Sequence, residues 1–277
     1  MNASLHLAFE KTVAGATVLR LRRQDPPWRV IRAFDGSLVH LHNVSGGVLS
    51  GDRLELRASL APETRAVITT TSATRVYRRR SGADQSQSSA HFELGEGSLL
   101  DLLPDAVIPY ADSDFAQHTS VDLSPGATLL WWEMLAPGRE ASGEAFRFAR
   151  LGIDNQIRSA GVPIAMERAW LDPRERPLDA AARLGDCRYL ATFYVCRAGE
   201  TASAWRRLEE DLNATANRLM ENENGVRWGV SRLVQDGVVV RGMAVRGAPL
   251  SAGLREFWQA ARLQLTGERV SPPRKTY

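Results

Sequence analysis

From Arg53 to Leu60 apolar and polar residues alternate without a break. Leu54, Leu56, Ala58 and Leu60 take one side, and Arg53, Glu55, Arg57 and Ser59 the other. A repeat of two is that of an extended strand with one face covered and the other wet. Similar short runs recur at 16–21, 28–34, 37–42, 65–71, 91–94, 117–123, 127–135, 144–151, 162–170, 226–234 and 237–245, and the stretch between Cys187 and Cys196 alternates in the same way. Gly, Pro, Asp and Asn fill the gaps, as turn chemistry requires. The pattern predicts a mostly-β chain with few sheet edges left open.

Two stretches break the period. Trp205, Leu208, Leu212, Ala216, Leu219 and Met220 fall between 201 and 222, and Leu254, Phe257, Trp258, Ala261 and Leu265 between 251 and 266. Spacings of three and four place each set on one helical face. Asn224-Gly225 is expected to end the first helix, because both residues tolerate a left-handed backbone. Ser251 is expected to cap the second. Segment 78–89 reads as a polar loop. With no internal repeat and no low-complexity linker, positions 1–277 are expected to form one domain, with both helices packed on a β body in the C-terminal third.

Composition narrows the class. The 277 residues are 44% hydrophobic and 24% charged, which permits a sizeable core. A net charge of +3 is too small to imply a polyanionic partner, so neither nucleic acid nor membrane is expected. Cys187 and Cys196, nine apart on an extended strand, would stand roughly 30 Å apart, beyond the roughly 7 Å that a disulfide spans. Two free thiols fit a reducing compartment. The N-terminus lacks a basic region ahead of a long apolar one, so a soluble, cytoplasmic protein is expected.

The candidate chemistry is sparse. Gly46-Gly47 and Gly51-Asp52 lie between two strands, without the Gly-Lys-Ser/Thr ending or following helix of a phosphate loop. His40 and His42 share one strand face and could chelate a metal, as in a cupin-like enzyme, but Gly46 and Gly47 stand where a cupin-type third ligand would fall. No Gly-x-Ser-x-Gly elbow nominates a nucleophile. Arg75 and the run Arg78-Arg79-Arg80 could touch RNA or an acidic protein, although the nearly balanced overall charge favours a solvated loop. Glu133, Arg139, Glu140 and Glu144 cluster about Pro137-Gly138. Carboxylates beside a turn are usually solvated, but they are also hard oxygen ligands able to pass a divalent ion along. No residue is nominated as catalytic.

Several segments, taken in order, resemble the UreD (UreH) urease accessory protein family. They are Ser45-Gly46-Gly47-Val48-Leu49-Ser50-Gly51-Asp52-Arg53-Leu54, the Thr-rich run 69–77 ending in Arg75-Val76-Tyr77, Leu103-Pro104 through Pro109-Tyr110, then Gln117, Glu133, Gly138-Arg139 and Gly143-Glu144-Ala145-Phe146, with the tail 272–277. Positions 43–45 read Asn-Val-Ser where other members often carry prolines. The resemblance implies a β-helix-like stack of many short strands with two helices, and a non-enzymatic role in urease maturation. It implies as partners a helical accessory protein (UreF), a GTP-hydrolysing protein (UreG) and the urease apoprotein, with a dimer of heterotrimers by analogy. It also implies nickel as cargo in transit, with no tightly bound metal or other cofactor. Ser45, Gly46, Gly47, Gly51, Asp52, Arg75, Tyr77, Pro104, Gly138 and Arg139 become motif positions for structure or partner binding. His42, Asp52, Glu133 and Glu144 become candidates to line a polar route, where weak multi-site binding suits conduction.

Overall fold

The computed structural model describes residues 1–32 and 37–273. In chain order the strands are β1 Asn2–Lys11, β2 Thr17–Gln24, β3 Trp28–Arg32, β4 Leu38–Asn43, β5 Arg53–Leu60, β6 Arg65–Thr70, β7 Thr74–Val76, β8 Ser86–Leu94, β9 Leu99–Leu103, β10 Val107–Pro109, β11 Asp114–Leu123, β12 Thr128–Leu135, β13 Arg150–Ser159, β14 Val162–Leu171, β15 Tyr189–Arg197, β16 Val226–Arg232 and β17 Gly237–Ala244. The helices are α1 Ala202–Asn222 and α2 Gly247–Thr266. One sheet has the order β14-β13-β11-β8-β5-β1-β2; the other has β16-β17-β15-β12-β9-β6-β4-β3, with β7 and β10 paired beside it.

The chain alternates between the sheets. Within the first sheet β5, β8, β11 and β13 pair in parallel; within the second β4, β6, β9 and β12 do the same. Each coil is thus one strand from each sheet, which is the expected β-helix-like stack. Antiparallel strands flank it on both sides. The crossovers differ in length. Connections 61–64, 95–98 and 124–127 run from the first sheet to the second in four residues each. The returns, 44–52, 71–85, 104–113 and 136–149, are long and stack at the opposite end.

Between the sheets lies a core that includes Leu5, Phe9, Leu56, Phe92, Leu100 and Trp131. A second core joins both helices to the outer face of the second sheet through Phe193, Trp205, Leu208, Trp228, Phe257 and Trp258. β5 shows the alternation its sequence requires, with Leu54, Leu56, Ala58 and Leu60 buried. Thr201 caps α1, its hydroxyl accepting from the Ala204 amide at 3.2 Å, and Gly225 adopts φ +82° just beyond its end.

Several expectations need correction. α2 begins at Gly247, one turn before Ser251, and has no side-chain cap; the Ser251 hydroxyl lies 3.5 Å from the Met134 sulfur. Residues 86–89 of the expected loop belong to β8. The strand expected at 144–151 runs instead from Arg150 to Ser159, because Glu140–Ser142 form a helical turn and Gly143 a left-handed one. β1, β7, β9 and β10 fall outside the alternating runs of the sequence. β9 has all five residues buried, so it shows no alternation: the inter-sheet core covers one face and the helices the other. β15 starts after Cys187; both cysteines are buried and free. Positions 33 and 34 of the strand expected at 28–34, and 274–277 of the tail, lie outside the described residues.

Asp101, at the centre of β9, fastens α2 to the sheet. The Trp258 indole donates to it at 2.7 Å and the Arg262 guanidinium stands 3.7 Å away. Burial pushes its carboxyl up to about 6, against the opposing pull of Arg262. The folded protein therefore holds this proton to higher pH than the unfolded chain, whose carboxyl titrates near ~3.9. The associated stability is present in acid and is lost as pH rises from about 4 to about 6. We expect Asp101→Asn, which keeps an acceptor for Trp258, to flatten urea-denaturation stability over that window, raising it by on the order of 2 kcal/mol at neutral pH. An unchanged pH profile would show that Asp101 titrates normally.

Candidate functional site

The four long returns bring the motif positions together. In the first, the Asn43 side chain accepts from the Ser45 amide at 2.9 Å and donates to the Gly47 carbonyl at 3.0 Å. This Asx turn closes segment 43–47. Gly46 and Gly51 both adopt φ +76°. Gly47 does not; its constraint is space, since a Cβ there would lie 2.3 Å from the Arg75 carbonyl oxygen and 2.8 Å from Tyr77 Cε2. Val48 is held between those residues, its amide donating to the Arg75 carbonyl at 2.8 Å and its carbonyl accepting from the Tyr77 amide at 3.0 Å.

Contact continues from one return to the next. Tyr77 meets Tyr110 edge to face at 5.2 Å. The Arg139 guanidinium lies 4.4 Å over the Tyr110 ring and binds Glu144 through both Nε, at 2.8 Å, and Nη2. Glu144 also accepts from the Ala111 amide at 3.2 Å, and Arg139 draws its carboxyl below the usual range. Gly138, at φ +135°, lies where a Cβ would meet the Glu144 carbonyl oxygen at 2.4 Å. Asp52 is buried; it accepts from the Leu49 amide at 2.8 Å and from the N-terminal ammonium at 3.1 Å. Pro104 presents its carbonyl to the Trp132 indole at 2.8 Å.

Glu133 is placed differently. On β12 it follows Leu129 and Trp131, both on the inter-sheet side, so its carboxylate enters the space between the sheets. Gln117 of β11 donates to one oxygen and Asn155 of β13 to the other. Enclosure by protein pushes the carboxyl up to about 7, with Glu167 nearby acting in the same direction. Two cavities meet here. One, of about 160 Å³, reaches from Gly46, Gly47 and the Thr-rich run at 69–74 inward to Glu133. The other, of about 450 Å³, runs from Glu133 between β14 and the β15–β17–β16 end of the second sheet. Val107, Gln117, Glu133 and Met134 line both. On the far side Glu167 accepts from the Tyr194 hydroxyl and pairs with Arg241 at 2.9 Å.

His42, Asp52 and Glu144 line neither cavity. His42 contacts the Thr71 hydroxyl at 2.8 Å. Among the described residues no group of three or more His, Cys, Asp or Glu side chains is arranged to hold a metal, so His40 and His42 gain no third ligand. The parity of β12 was the available signal that Glu133 faces inward. In the sequence Gln117 stands out only as a motif position, and no pattern marks Asn155. No described helix is long and apolar enough to cross a membrane.

A family model described as the UreD urease accessory protein matches residues 1–277. The chain is 42% identical to the "Urease accessory protein UreD" of Herpetosiphon aurantiacus over 277 residues, covering 98% of this chain and 96% of that one. It is 31% identical to "Urease accessory protein UreD 2" of Brucella ovis, over 96% of this chain and 88% of the relative. It is 30% identical to the UreD protein of Acaryochloris marina, over 98% and 93%.

The packing of Gly47 gives a direct test. Gly47→Ala places a methyl group against backbone that cannot move independently, an overpacking cost of about 1–3 kcal/mol, read as a lower denaturation midpoint. A variant as stable as the parent would mean that the Arg75 carbonyl yields freely.

Proposed function

The chain belongs to the UreD urease accessory protein family, and from that premise we propose that it acts in urease maturation as the member that conducts nickel to the apoprotein. Its role is accessory, not catalytic, and its partners are urease and other accessory proteins. In the finer reading these are UreF and UreG, with hydrolysis of GTP by UreG driving release of the ion, and the assembly works in the cytoplasm.

The observation that carries the reading is the carboxylate of Glu133 at the junction of the two cavities. A lone carboxylate flanked by two amides supplies oxygen donors that suit a divalent ion, yet too few to retain it. A conducting site must bind well enough to admit the ion and weakly enough to release it. Protonated, Glu133 is neutral and tolerates the enclosed space; ionised, it offers a charge whose burial cost a passing cation offsets. Glu133 fits contact with the ion better than His42, Asp52 or Glu144. Those three fit a supporting role instead, since their hydrogen bonds build the loop end where the smaller cavity opens.

The test is Glu133→Gln, with nickel per urease active site as the readout. We expect the variant to bind apo-urease and its accessory partners while delivering several-fold less nickel. For the parent, delivery should rise as pH increases through about 7, where the carboxyl ionises, and this rise should vanish in the variant. Full nickel loading by a partner-competent Glu133→Gln protein would sink the route through this residue. Asp52→Ala and Glu144→Ala should act through lost stability or partner binding; loss of nickel loading with both retained would return those carboxylates to the route.

A further inference from the structure

Edge strand β14 is a wall with two different faces. Its inward residues Glu167, Ala169 and Leu171 line the larger cavity. Its outward residues Met166, Arg168 and Trp170 are exposed, Met166 and Trp170 at 59% each. Both helices pack on the other sheet, so no described helix covers the outer face of this largely parallel sheet, whereas parallel sheets are ordinarily covered on both faces. Among the described residues β14 pairs only with β13, which leaves backbone groups open along its far edge. Trp170 lies across Gly152, where a Cβ would stand 2.4 Å from the indole, and the Arg150 guanidinium is 6.0 Å from its ring. An exposed tryptophan held flat by a glycine is a preformed anchor.

Beyond the end of β14 a cleft of about 860 Å³ holds five arginines and three aspartates. Asp114 binds Arg79 at 2.9 Å and Arg150 at 2.7 Å, and Asp112 binds Arg174. Arg78 and Arg80 are exposed and have no ion pair among the described residues. The cleft is therefore prepared for carboxylates from outside. Phosphate tracking fits it less well, because the aspartates interrupt what would have to be a continuous basic path.

We infer that the outer row of β14 and the adjoining arginine cleft form the docking surface for the urease apoprotein, which meets Arg78 and Arg80 with carboxylates and seats an apolar socket on Trp170. This rests on the cargo reading: a protein gripping β14 from outside lies one strand away from the cavity that β14 walls from inside, and the recipient of the ion must sit beside that cavity. Tryptophan, methionine and arginine are also the residue types enriched at protein interfaces, and tryptophan and arginine dominate their energetics.

The test is binding of the full-length protein, with its accessory partners, to immobilised apo-urease at low and high salt. Trp170→Ala should weaken docking about tenfold or more at both salts. The double change Arg78→Glu with Arg80→Glu should weaken it mainly at low salt and flatten the salt dependence. Both sites are exposed, so thermal midpoints should stay close to the parent's. Parental affinity in both variants would overturn the assignment. It would also be overturned if Trp170→Ala abolished self-association instead, or if the arginine variant lost only binding to a labelled single-stranded RNA. Glu133→Gln separates the two readings: normal docking with full nickel delivery rejects the route and leaves the surface standing.

Discussion

Parallel pairing imposes the geometry on which everything else here depends. A strand can lie parallel to its predecessor only if the chain first travels back, and here it travels back as a strand of the facing sheet. The two sheets are therefore built together, coil by coil, and their inward side chains must fill one shared space. Four-residue turns suffice at one end. At the other end the returns are long, and because successive coils are in register those returns stack.

That stacking explains why motif positions spread over a hundred residues of sequence are neighbours. Gly47 admits Tyr77, Tyr77 meets Tyr110, Tyr110 underlies Arg139, and Arg139 holds Glu144. The first three links each join one return to the next, and the last closes the fourth return on itself. The chemistry of the chain is architectural: glycines permit close approach, aromatic rings bridge loops, and an ion pair closes the series. The same end opens into the smaller cavity, so the order of the loops also fixes the shape of an entrance.

Much of this was legible in the sequence wherever one face of an element met water. β5 and α1 could be read almost to the residue, because alternation and a helical stripe report contrast between two sides. β9 could not, since contrast disappears when both sides are covered. Its Asp101, set among four leucines, is the trace of buried polar partners, which the Trp258 indole and the Arg262 guanidinium supply. In the sequence Glu133 is one of several carboxylates beside a turn, where solvation is usual, yet its parity with Leu129 and Trp131 places it inside. Gln117 and Asn155 reach it from strands distant in sequence, and no local pattern could have paired them. The family resemblance identified the loops that matter without saying that they touch.

A carboxylate between two apolar-filled sheets is costly unless something compensates it. Two amides supply hydrogen bonds but no charge, and burial holds the group near the point where proton and cation compete for it. A fully satisfied ion pair at this position would leave no charge for a cation to meet. A hydrocarbon side chain would pack better and bind nothing. On the transit role proposed above, one partly compensated acid at the meeting point of two cavities exchanges stability for the capacity to hold a positive charge briefly, and the coil-by-coil construction on either side keeps that acid from relaxing toward water.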